Sequence, residues 1–377
     1  MSAVELQQVT GGEWREGRLP ARLVTGIGTD SRSFRDGDAF LALRGERFDG
    51  HVYARDVEQR ACALIGDAEG ARMWDDLTLP QLIVPDTLHA LGDIAHAWRE
   101  RLSETTWVAI SGSVGKTSLR SMLACLLKEL GARVAGTRGN LNNLIGVPLT
   151  MLEVPEDAEI ALIECGISVP GEMERLSTIV SPDVAVLTAI APAHGEGLGD
   201  LHGVAKEKAR LFSGLRNEGW IAVGEGVCER LSESLQQPVL APGDADYVHF
   251  SLDGRMVTFA LADERMELEL ALPARHWAAN MALAMSIVRR WSAERQRSMP
   301  CLRDMVRVLS GWRPSAGRMR IMRHPGGATI VDDAYNANPL SMQCALDTLR
   351  ACEGHRVAIL GDMAELGDQS RAWHAGL

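Results

Sequence analysis

The sequence predicts an α/β fold around a largely parallel central sheet, and three observations lead to this prediction. Apolar runs of strand length alternate with helical segments of about 10 to 15 residues between residues 86 and 312. The run that ends at Ser111 leads into a glycine-rich turn and then a helix that contains Lys116. The length of 377 residues exceeds one ordinary core, so we expect two or three domains of roughly 100 to 200 residues each.

The composition is that of a globular protein and argues against two classes of partner. Hydrophobic residues make up 46% of the chain and charged residues 24%. The formal net charge of -11 would repel nucleic acid and an anionic membrane surface, so we expect neither as a partner. The start MSAVELQQVT lacks the pattern of a signal peptide, and no apolar run approaches the roughly 20 residues of a membrane span. We therefore expect a soluble, cytoplasmic protein. We also expect it to be a monomer.

The cysteines are scattered along the chain and form no CxxC pair. We expect them to be reduced and mostly buried, rather than to form disulfides or a zinc site. The 7 cysteines are Cys62, Cys125, Cys165, Cys228, Cys301, Cys344 and Cys352.

The first two predicted domains cover residues 1–85 and 86–312. The first is a small α/β domain, with strands in DAFLAL (38–43) and QLIVPD (81–86) and a helix in HVYARDVEQRACALIG (51–66). The second contains strand WVAISG, helix SLRSMLACLLKELG and strands EIALIECG and DVAVLTAI. This alternation predicts a parallel sheet with helices on both faces.

The third predicted domain covers residues 313–377. It contains strand ATIVDD (328–333), helix LSMQCALDTLRAC and strand RVAILGD. This length is below the about 100 to 150 residues of a typical domain, and two strands are few for a stable open sheet. We therefore expect an incomplete Rossmann-like domain.

The segment VAISGSVGKTSLRSML has the order of strand, glycine turn and helix that a phosphate-binding loop requires. Backbone N–H groups at the helix N-terminus favour an anion, Lys116 would reach the β- and γ-phosphates, and Thr117 would bind Mg²⁺. The strict pattern G-x-x-x-x-G-K-[ST] fails because Ile110 occupies the place of its first glycine. The alternative is an ordinary strand-to-helix turn with an exposed lysine. The candidate ATP-binding residues are Gly112, Ser113, Val114, Gly115, Lys116, Thr117 and Ser118.

Two further polar residues follow predicted strands. Glu164 ends the apolar run IALIE, and His194 follows VAVLTAIAPA. Ligands of open α/β sheets lie at the carboxyl ends of parallel strands, so both residues are candidate Mg²⁺ ligands beside the phosphates. Taken singly, either could instead be a surface residue or a hydrogen-bonded core histidine.

A set of ordered motifs between about residues 25 and 375 resembles the Mur ligase family of ATP-dependent amide-forming enzymes. The motifs are GSVGKTS, GNLNNLIGVPLTML, IECG, AHGEGLGDLHGVAKEKARLF, LPARHWAAN, SAGRM and DDAYNANP. The resemblance implies three domains: an N-terminal α/β domain, a central P-loop domain with a parallel sheet, and a C-terminal Rossmann-like domain. It also implies a reaction in which ATP phosphorylates a carboxylate and an amine then attacks the acyl phosphate.

The same resemblance assigns the catalytic residues. Lys116 and Thr117 would hold phosphates and Mg²⁺, and Glu164 and His194 would bind the metal. Lys208 matches a lysine that carries a carbamate from CO₂ in relatives, which would make it an anionic metal ligand. In the alternative interpretation, Lys206 and Lys208 are solvated charges of a helix.

The resemblance further assigns an ATP site and a site for a UDP-linked substrate. Any one of these polar residues could instead form a turn or a helix cap. The ATP set is His276, Asn280, Arg318, Asp333 and Asn336, with Tyr335 and Asn338 beside them. The UDP-substrate set is Asp30, Ser31, Arg32, Arg44, Gly45, Asp49, His51, Asn140, Asn142 and Asn143.

Within the family, DSRSFRDGDAFLALRGERFDGH and LGDMAELG resemble the members that join D-alanyl-D-alanine to UDP-N-acetylmuramoyl-tripeptide in peptidoglycan synthesis. The alternatives are a related Mur-type or folylpolyglutamate-type ligase with a different acceptor, and a nucleotide-binding protein without catalysis. Because the third domain is short, we expect this chain to bind the UDP-sugar but to form little amide.

Overall fold

The computed structural model describes residues 1–45, 48–192, 198–231, 235–367 and 370–377. The predicted α/β class is confirmed. The described α-helices are α1 (Ala3–Thr10), α2 (Ala54–Val57), α3 (Thr87–Arg101), α4 (Lys116–Glu129), α5 (Gly146–Leu152), α6 (Glu172–Val180), α7 (Leu201–Ala209), α8 (Arg275–Glu294), α9 (Leu302–Ser310), α10 (Pro339–Ala351) and α11 (Ser370–Ala375).

The strands form four sheets. The first sheet has the order β1-β5-β4-β3-β2, the second β11-β10-β9-β6-β8-β7, the third β12-β13-β14 and the fourth β15-β16. The bounds are β1 (Glu13–Trp14), β2 (Ile27–Gly28), β3 (Ala39–Leu41), β4 (Ala63–Asp67), β5 (Gln81–Val84), β6 (Thr106–Ser111), β7 (Val134–Gly136), β8 (Ile160–Glu164), β9 (Val184–Leu187), β10 (Trp220–Val223), β11 (Val239–Leu240), β12 (His249–Asp253), β13 (Met256–Leu261), β14 (Glu264–Glu269), β15 (Arg320–Arg323) and β16 (Thr329–Asp332).

The backbone contacts group the chain into two compact units. Unit 1 comprises Met1–Glu104, Gly136–Glu156 and Thr178–Ser181. Unit 2 comprises Thr105–Ala135, Asp157–Ser177 and Pro182–Leu377. The division into three domains at residues 85 and 312 stays a prediction.

Unit 1 is built on the first sheet, in which β2, β3, β4 and β5 pair in parallel and β1 is antiparallel to β5. The strands predicted in DAFLAL and QLIVPD are confirmed as β3 and β5. The helix predicted over residues 51–66 is wrong, because α2 ends at Val57 and the segment that follows contains β4. Ala63, Leu64 and Ile65 of β4 are fully buried. A strand buried on both faces has no polar alternation, so its apolar run resembles a helix face.

Unit 2 is built on the second sheet, whose central strand β6 lies between β8 and β9 and pairs with both in parallel. All four elements predicted from WVAISG to DVAVLTAI are confirmed as β6, α4, β8 and β9. The apolar side chains of α4 and α8 share one core cluster with Val108 and Ile110 of β6. The strands that follow β6 in the chain, β7 and β8, lie on one side of it, and the next strand, β9, lies on the other. The carboxyl end of β6 is therefore a topological switch point.

The last segment of unit 2 contains the two-stranded antiparallel sheet and α10. The strand predicted in ATIVDD and the helix predicted in LSMQCALDTLRAC are confirmed as β16 and α10. Helix α10 begins at Pro339 because Asn338 caps it, with its side chain accepting the N–H of Ser341.

The strand predicted in RVAILGD is wrong. Within residues 353–367, all of which the structure describes, no strand is present. Val357, Ile359 and Leu360 are exposed by 67%, 96% and 52%. A β-strand needs a neighbouring strand for its N–H and C=O groups, and β15 and β16 pair with each other instead.

The cysteines are free thiols, as predicted, but the expectation that most are buried is wrong. Cys165 is buried, whereas Cys125 and Cys228 are exposed and the remaining cysteines are partly exposed. Among the described residues, no helix is long and apolar enough to cross a membrane.

Candidate active site

The phosphate loop connects β6 to α4 through two glycines in unusual backbone conformations. Gly112 has a φ of 142° and Gly115 a φ of 89°, values that residues with a side chain rarely adopt. A Cβ atom on Gly112 would lie 2.0 Å from Thr188 Oγ1, and one on Gly115 would lie 3.2 Å from the amide of Asn280. Both positions therefore favour glycine for their conformation, and Gly112 also requires it for space.

The segment that follows β9 holds the phosphate loop in place. The Ser113 N–H donates to Ala189 O (2.8 Å), and Ser113 Oγ donates to Ala191 O (2.9 Å). Thr188 Oγ1 donates to Val114 O (2.5 Å). The loop is thus shaped by the protein's own hydrogen bonds. Thr188 was not among the predicted residues, although it follows a strand just as Glu164 does.

Lys116 lies at the first turn of α4 and is partly buried. Its Nζ donates to Gly112 O at 2.7 Å, so the ammonium group lies over its own loop. Burial lowers the pKa of Lys116, while the Glu164 carboxylate raises it. Ser118, also predicted, is partly exposed on the same turn.

Thr117 and Glu164 meet at the carboxyl ends of β6 and β8. Thr117 Oγ1 donates to Glu164 Oε2 at 3.0 Å, and Arg120 Nε donates to Glu164 Oε1 at 2.5 Å. The Glu164 side chain is 1% exposed and that of Arg120 20% exposed. Arg120 was missed in the sequence, although its position four residues after Lys116 places it on the same side of α4.

Lys208 lies on α7 and is almost completely buried. Burial, together with the charge of Lys116, lowers the pKa of Lys208 to about 7. The neighbouring Glu207 raises this pKa and accepts the N–H groups of Gly171 (2.7 Å) and Met173 (3.3 Å). The alternative that Lys208 is a solvated helix charge is wrong, because the side chain is buried. Lys206, on the same helix, is exposed.

His276 and Asn280 lie in the first turns of α8, one helical turn apart. The Asn280 amide packs beside Gly115, so this end of α8 borders the phosphate loop. His276 is partly buried, and burial lowers its pKa to about 4. Trp277 between them is buried against Trp312, with ring centroids 5.6 Å apart.

The loops around Arg318 and Asp333 are joined by hydrogen bonds. The Gly317 N–H donates to Asp332 Oδ2 (3.1 Å), and the Tyr335 N–H donates to Gly317 O (3.0 Å). Arg318 stacks on the Tyr335 ring, with its Cζ 4.2 Å from the ring centroid. The positive charge of Arg318 acts on Lys116 and lowers its pKa.

Three of the remaining predicted residues, Asp333, Asn336 and Asn338, lie on these loops. Asn338 Nδ2 lies 3.5 Å from Ser113 O, which brings the start of α10 to the phosphate loop. Burial raises the pKa of Asp333 to about 6. Asn336 is exposed and accepts the N–H of Ala337 with its own side chain.

His194 lies outside the described residues, so the structure places three of the four candidate metal ligands. Among the residues that the structure describes, no group of three or more His, Cys, Asp or Glu side chains could hold a metal ion. The Thr117 hydroxyl and the Glu164 carboxylate are the described oxygen donors at the carboxyl ends of β6 and β8.

The predicted UDP-substrate residues lie in unit 1. Asp30 and Arg32 form a local pair, in which Arg32 donates to Asp30 through Nε (2.8 Å), Nη2 (2.7 Å) and its backbone N–H (3.0 Å). These bonds lower the pKa of Asp30 to about 2. Ser31 between them is partly exposed. This geometry is that of a turn, which was the alternative interpretation of residues 30–32.

Arg44 is the centre of an acidic cluster in unit 1. It pairs with Asp49 (3.2 Å), Asp67 (3.5 Å) and Glu69 (2.7 Å). His51 is fully buried, with Nδ1 2.5 Å from Asp49 Oδ1 and Nε2 accepting the Asp67 N–H at 3.1 Å. His51 therefore holds Asp49 in place rather than offering a free ring nitrogen.

Gly45 and three asparagines complete this set. The Gly45 N–H donates to Phe48 O at 2.9 Å. Asn143 Oδ1 accepts the N–H groups of Ile145 (3.2 Å) and Gly146 (2.8 Å) at the start of α5. Asn140 and Asn143 are exposed and Asn142 is partly exposed, so all three can be reached from solvent.

Comparisons with known proteins agree with this geometry. The Mur ligase middle domain matches residues 110–288, the Mur ligase glutamate ligase domain matches residues 317–377, and the Mur ligase family catalytic domain matches residues 23–99. The chain belongs to the Mur ligase family. The phosphate loop and Glu164 of this Mur ligase lie within the middle-domain match, and Arg318 and Asp333 lie within the glutamate ligase match.

One relative and two solved structures illustrate the similarity. A relative from Escherichia coli (strain K12), named UDP-N-acetylmuramoyl-tripeptide--D-alanyl-D-alanine ligase, is 34% identical over 99% of this chain and 82% of its own length. A crystal structure of MurF from Acinetobacter baumannii has a TM-score of 0.86 and 31% identity, covering 99% of this chain and 81% of that one. The MurF ligase from Thermotoga maritima in complex with ADP has a TM-score of 0.77 and 25% identity, covering 93% and 80%.

Proposed function

We propose that this Mur ligase joins D-alanyl-D-alanine to UDP-N-acetylmuramoyl-tripeptide in peptidoglycan synthesis, at the expense of ATP. The observation that carries the proposal is the meeting of Lys116, Thr117 and Glu164 at the carboxyl ends of β6 and β8. That position is the ligand site of open α/β sheets. Relatives at 31% and 34% identity bear the name of this activity, and the bound ADP of the Thermotoga maritima structure matches the proposed nucleotide.

The proposed reaction has two steps. An oxygen of the tripeptide carboxylate attacks the γ-phosphorus of ATP, and ADP leaves with the electron pair of the broken P–O bond. The amine of D-alanyl-D-alanine then attacks the carbonyl carbon, inorganic phosphate leaves, and the amine loses a proton as the amide forms. The chain contributes positioning and charge neutralisation, because phosphoryl transfer needs little other chemistry from the protein.

Individual residues have separate roles in this proposal. The Lys116 ammonium neutralises the β- and γ-phosphates, and the N–H groups at the start of α4 donate to phosphate oxygens. Arg318 adds positive charge near Lys116. Asn280 and His276 bound the nucleotide beside Gly115. The polar residues of unit 1, including Arg44 and Asn140, would bind the UDP-sugar.

The donor set fits Mg²⁺, which ATP brings to such a site. Mg²⁺ prefers oxygen ligands and is commonly held by one or two protein oxygens together with phosphate oxygens. The Thr117 hydroxyl gives its hydrogen to Glu164 Oε2, which leaves its oxygen lone pairs for a cation. Thr117, Glu164 and His194 would hold the ion, which neutralises charge on the transferring phosphoryl group.

We also propose that Lys208 carries a carbamate. The pKa of about 7 leaves a large share of the amine neutral near pH 7, and only the neutral amine is a nucleophile. Lys208 Nζ would attack the carbon of CO₂, forming an N–C bond, while one C=O electron pair moves to oxygen and a proton is lost to solvent. The product is an anion, which replaces the repulsion between Lys116 and Lys208 with attraction.

Phosphate release from ATP tests the proposed function. We expect release only when UDP-N-acetylmuramoyl-tripeptide and D-alanyl-D-alanine are both present, with formation of the amide confirmed by mass spectrometry. A folate with glutamate serves as the substrate pair of the alternative ligase and should give no phosphate. Phosphate release with the folate pair and none with the muramoyl pair would contradict the proposal.

A further inference from the structure

The proposed chemistry does not use Arg120, although this residue contacts the carboxylate of Glu164 directly. Arg120 lies four residues after Lys116 on α4, and its Nε donates to Glu164 Oε1 at 2.5 Å. The Glu164 side chain is 1% exposed and that of Arg120 20% exposed. The contact is therefore a largely desolvated ion pair inside the nucleotide site rather than a surface salt bridge.

The Glu164 carboxylate would be costly to bury without a positive partner. Removing one member of a buried ion pair is strongly destabilising, because it leaves the other charge buried without a partner. Oε1 faces Arg120 and Oε2 faces the Thr117 hydroxyl, so each carboxylate oxygen has a partner in the absence of nucleotide. The charges of Arg120 and Glu164 therefore balance each other before any divalent cation arrives.

The same carboxylate is the proposed Mg²⁺ ligand, and this creates a conflict. A divalent cation at Glu164 would add two positive charges beside the Arg120 guanidinium at contact distance. Like charges in a partly desolvated site repel strongly, because the effective dielectric constant there is well below that of water. Arg120 and Mg²⁺ therefore compete for the Glu164 carboxylate, because their positive charges repel each other.

We propose that Arg120 is a positioning residue that neutralises Glu164 in the nucleotide-free enzyme and is displaced when Mg²⁺ enters with the nucleotide. The contact between Arg120 and Glu164 then weakens the affinity for Mg²⁺. It thereby raises the Mg²⁺ concentration that nucleotide binding requires. The inference rests on the proposed function, because it requires the nucleotide site at the phosphate loop.

The first test measures ADP binding by titration calorimetry at a series of Mg²⁺ concentrations. In Arg120→Gln, the Mg²⁺ concentration for half-maximal ADP binding should fall by about tenfold, within the usual range of such couplings. Arg120→Lys keeps a cation and should give a smaller decrease. A half-maximal concentration that is unchanged or higher in Arg120→Gln would overturn the inference, because a purely structural Arg120 predicts no gain in Mg²⁺ affinity.

Arg307→Gln is the matched control. Arg307 pairs with Glu129 at the other end of α4 (3.4 Å) and is 65% exposed, so its removal should leave the Mg²⁺ dependence unchanged. If neither the wild type nor any variant binds ADP, the inference and the proposed function both fail. If ADP binds with an unchanged Mg²⁺ dependence in Arg120→Gln, only the inference fails.

A second measurement needs no folded Arg120→Gln variant. In the wild type, the Arg120 Nε–H should give a protected arginine side-chain signal in a ¹⁵N NMR spectrum, assigned by its absence from Arg120→Lys. Addition of ADP with Mg²⁺ should shift or broaden this signal, whereas ADP with a chelator should leave it in place. A signal that is the same in all three samples would show that Arg120 stays on Glu164 and would overturn the inference.

Discussion

Lys116 makes few contacts but carries the charge that faces the proposed phosphates. We predict that Lys116→Ala lowers turnover by about a thousandfold or more, since it removes a cation aimed at the transferring phosphoryl group. The free energy of unfolding should change by no more than about 1 kcal/mol, because among the described residues the side chain makes one hydrogen bond, to Gly112 O. Phosphate release and urea denaturation measure the two effects. Activity within about tenfold of wild type would contradict the assignment of the loop.

Lys208 differs from Lys116 because the proposal assigns it a negative charge. We predict that Lys208→Ala reduces activity on the order of a hundredfold and that formate or acetate partly restores it, since a small anion can replace the carbamate. The exposed neighbour provides the control, and Lys206→Ala should retain activity. A ¹³C NMR signal from ¹³C-bicarbonate should appear in the wild type and be lost in Lys208→Ala. Failure of both rescue and signal would leave Lys208 as an unmodified amine.

His276 gives a prediction about pH. Its pKa is lowered from 6.5 to about 4 because the ring is buried. In the unfolded chain the ring takes up a proton near pH 6.5, whereas the folded ring stays neutral until about pH 4, so acidification through this window favours unfolding. Urea denaturation should therefore show a smaller loss of stability between these pH values in His276→Gln than in the wild type. Equal slopes would show that His276 is accessible to protons in the folded state.

At the scale of elements, the turn between β6 and α4 depends on a glycine that no other residue can replace. Gly112→Ala would place a Cβ 2.0 Å from Thr188 Oγ1, at a φ of 142°. We predict a loss of stability of about 1 to 3 kcal/mol, the range for a strained residue, together with loss of ADP binding.

Gly226→Ala is the control for this substitution. Gly226 also has a positive φ, of 69°, but no atom lies within 4 Å of a Cβ there. Its cost should be about 1 to 2 kcal/mol, and ADP binding should persist. If Gly112→Ala binds ADP as well as Gly226→Ala does, the loop does not depend on the approach of Thr188.

The sequence predicted the central elements well because they combine a clear period with clear termini. Helix α4 begins after a glycine and has apolar residues at helical spacing, and β6, β8 and β9 are apolar runs between turns. It failed for β4 and for RVAILGD, since an apolar run alone does not show whether a neighbouring strand exists to pair with it. The antiparallel strands β12, β13 and β14 were not predicted.

The residues of the site were predicted where they lie in one motif or directly follow a strand, as Lys116, Thr117 and Glu164 do. Arg120 and Thr188 were missed because their roles depend on contacts with distant parts of the chain. Motif spacing carries no information on such contacts. It also carries none on burial, although burial is what distinguishes Lys208, which is buried, from Lys206, which is exposed. For His51, the motif predicted a contact with the substrate, but the structure buries the ring completely.

At the scale of the whole molecule, the two proposed binding functions fall in different units. The residues assigned to ATP, including Lys116, Asn280 and Arg318, belong to unit 2. The residues assigned to the UDP-sugar, from Asp30 to His51 and from Asn140 to Asn143, belong to unit 1. Each unit has its own sheet and core cluster, so each can respond to its own ligand.

Hydrogen exchange measured by mass spectrometry tests this division. Binding slows exchange where a ligand contacts the backbone or suppresses local opening. We predict that ADP with Mg²⁺ protects residues 112–121 and the start of α8 in unit 2 and leaves residues 30–45 unchanged. UDP-N-acetylmuramoyl-tripeptide alone should protect residues 30–45 and 140–143 in unit 1. UDP alone serves as the control for the sugar and peptide, and it should protect part of the same unit 1 residues. Protection of residues 112–121 by UDP, with none in unit 1, would show that uridine binds at the phosphate loop and that the UDP-substrate assignment is wrong.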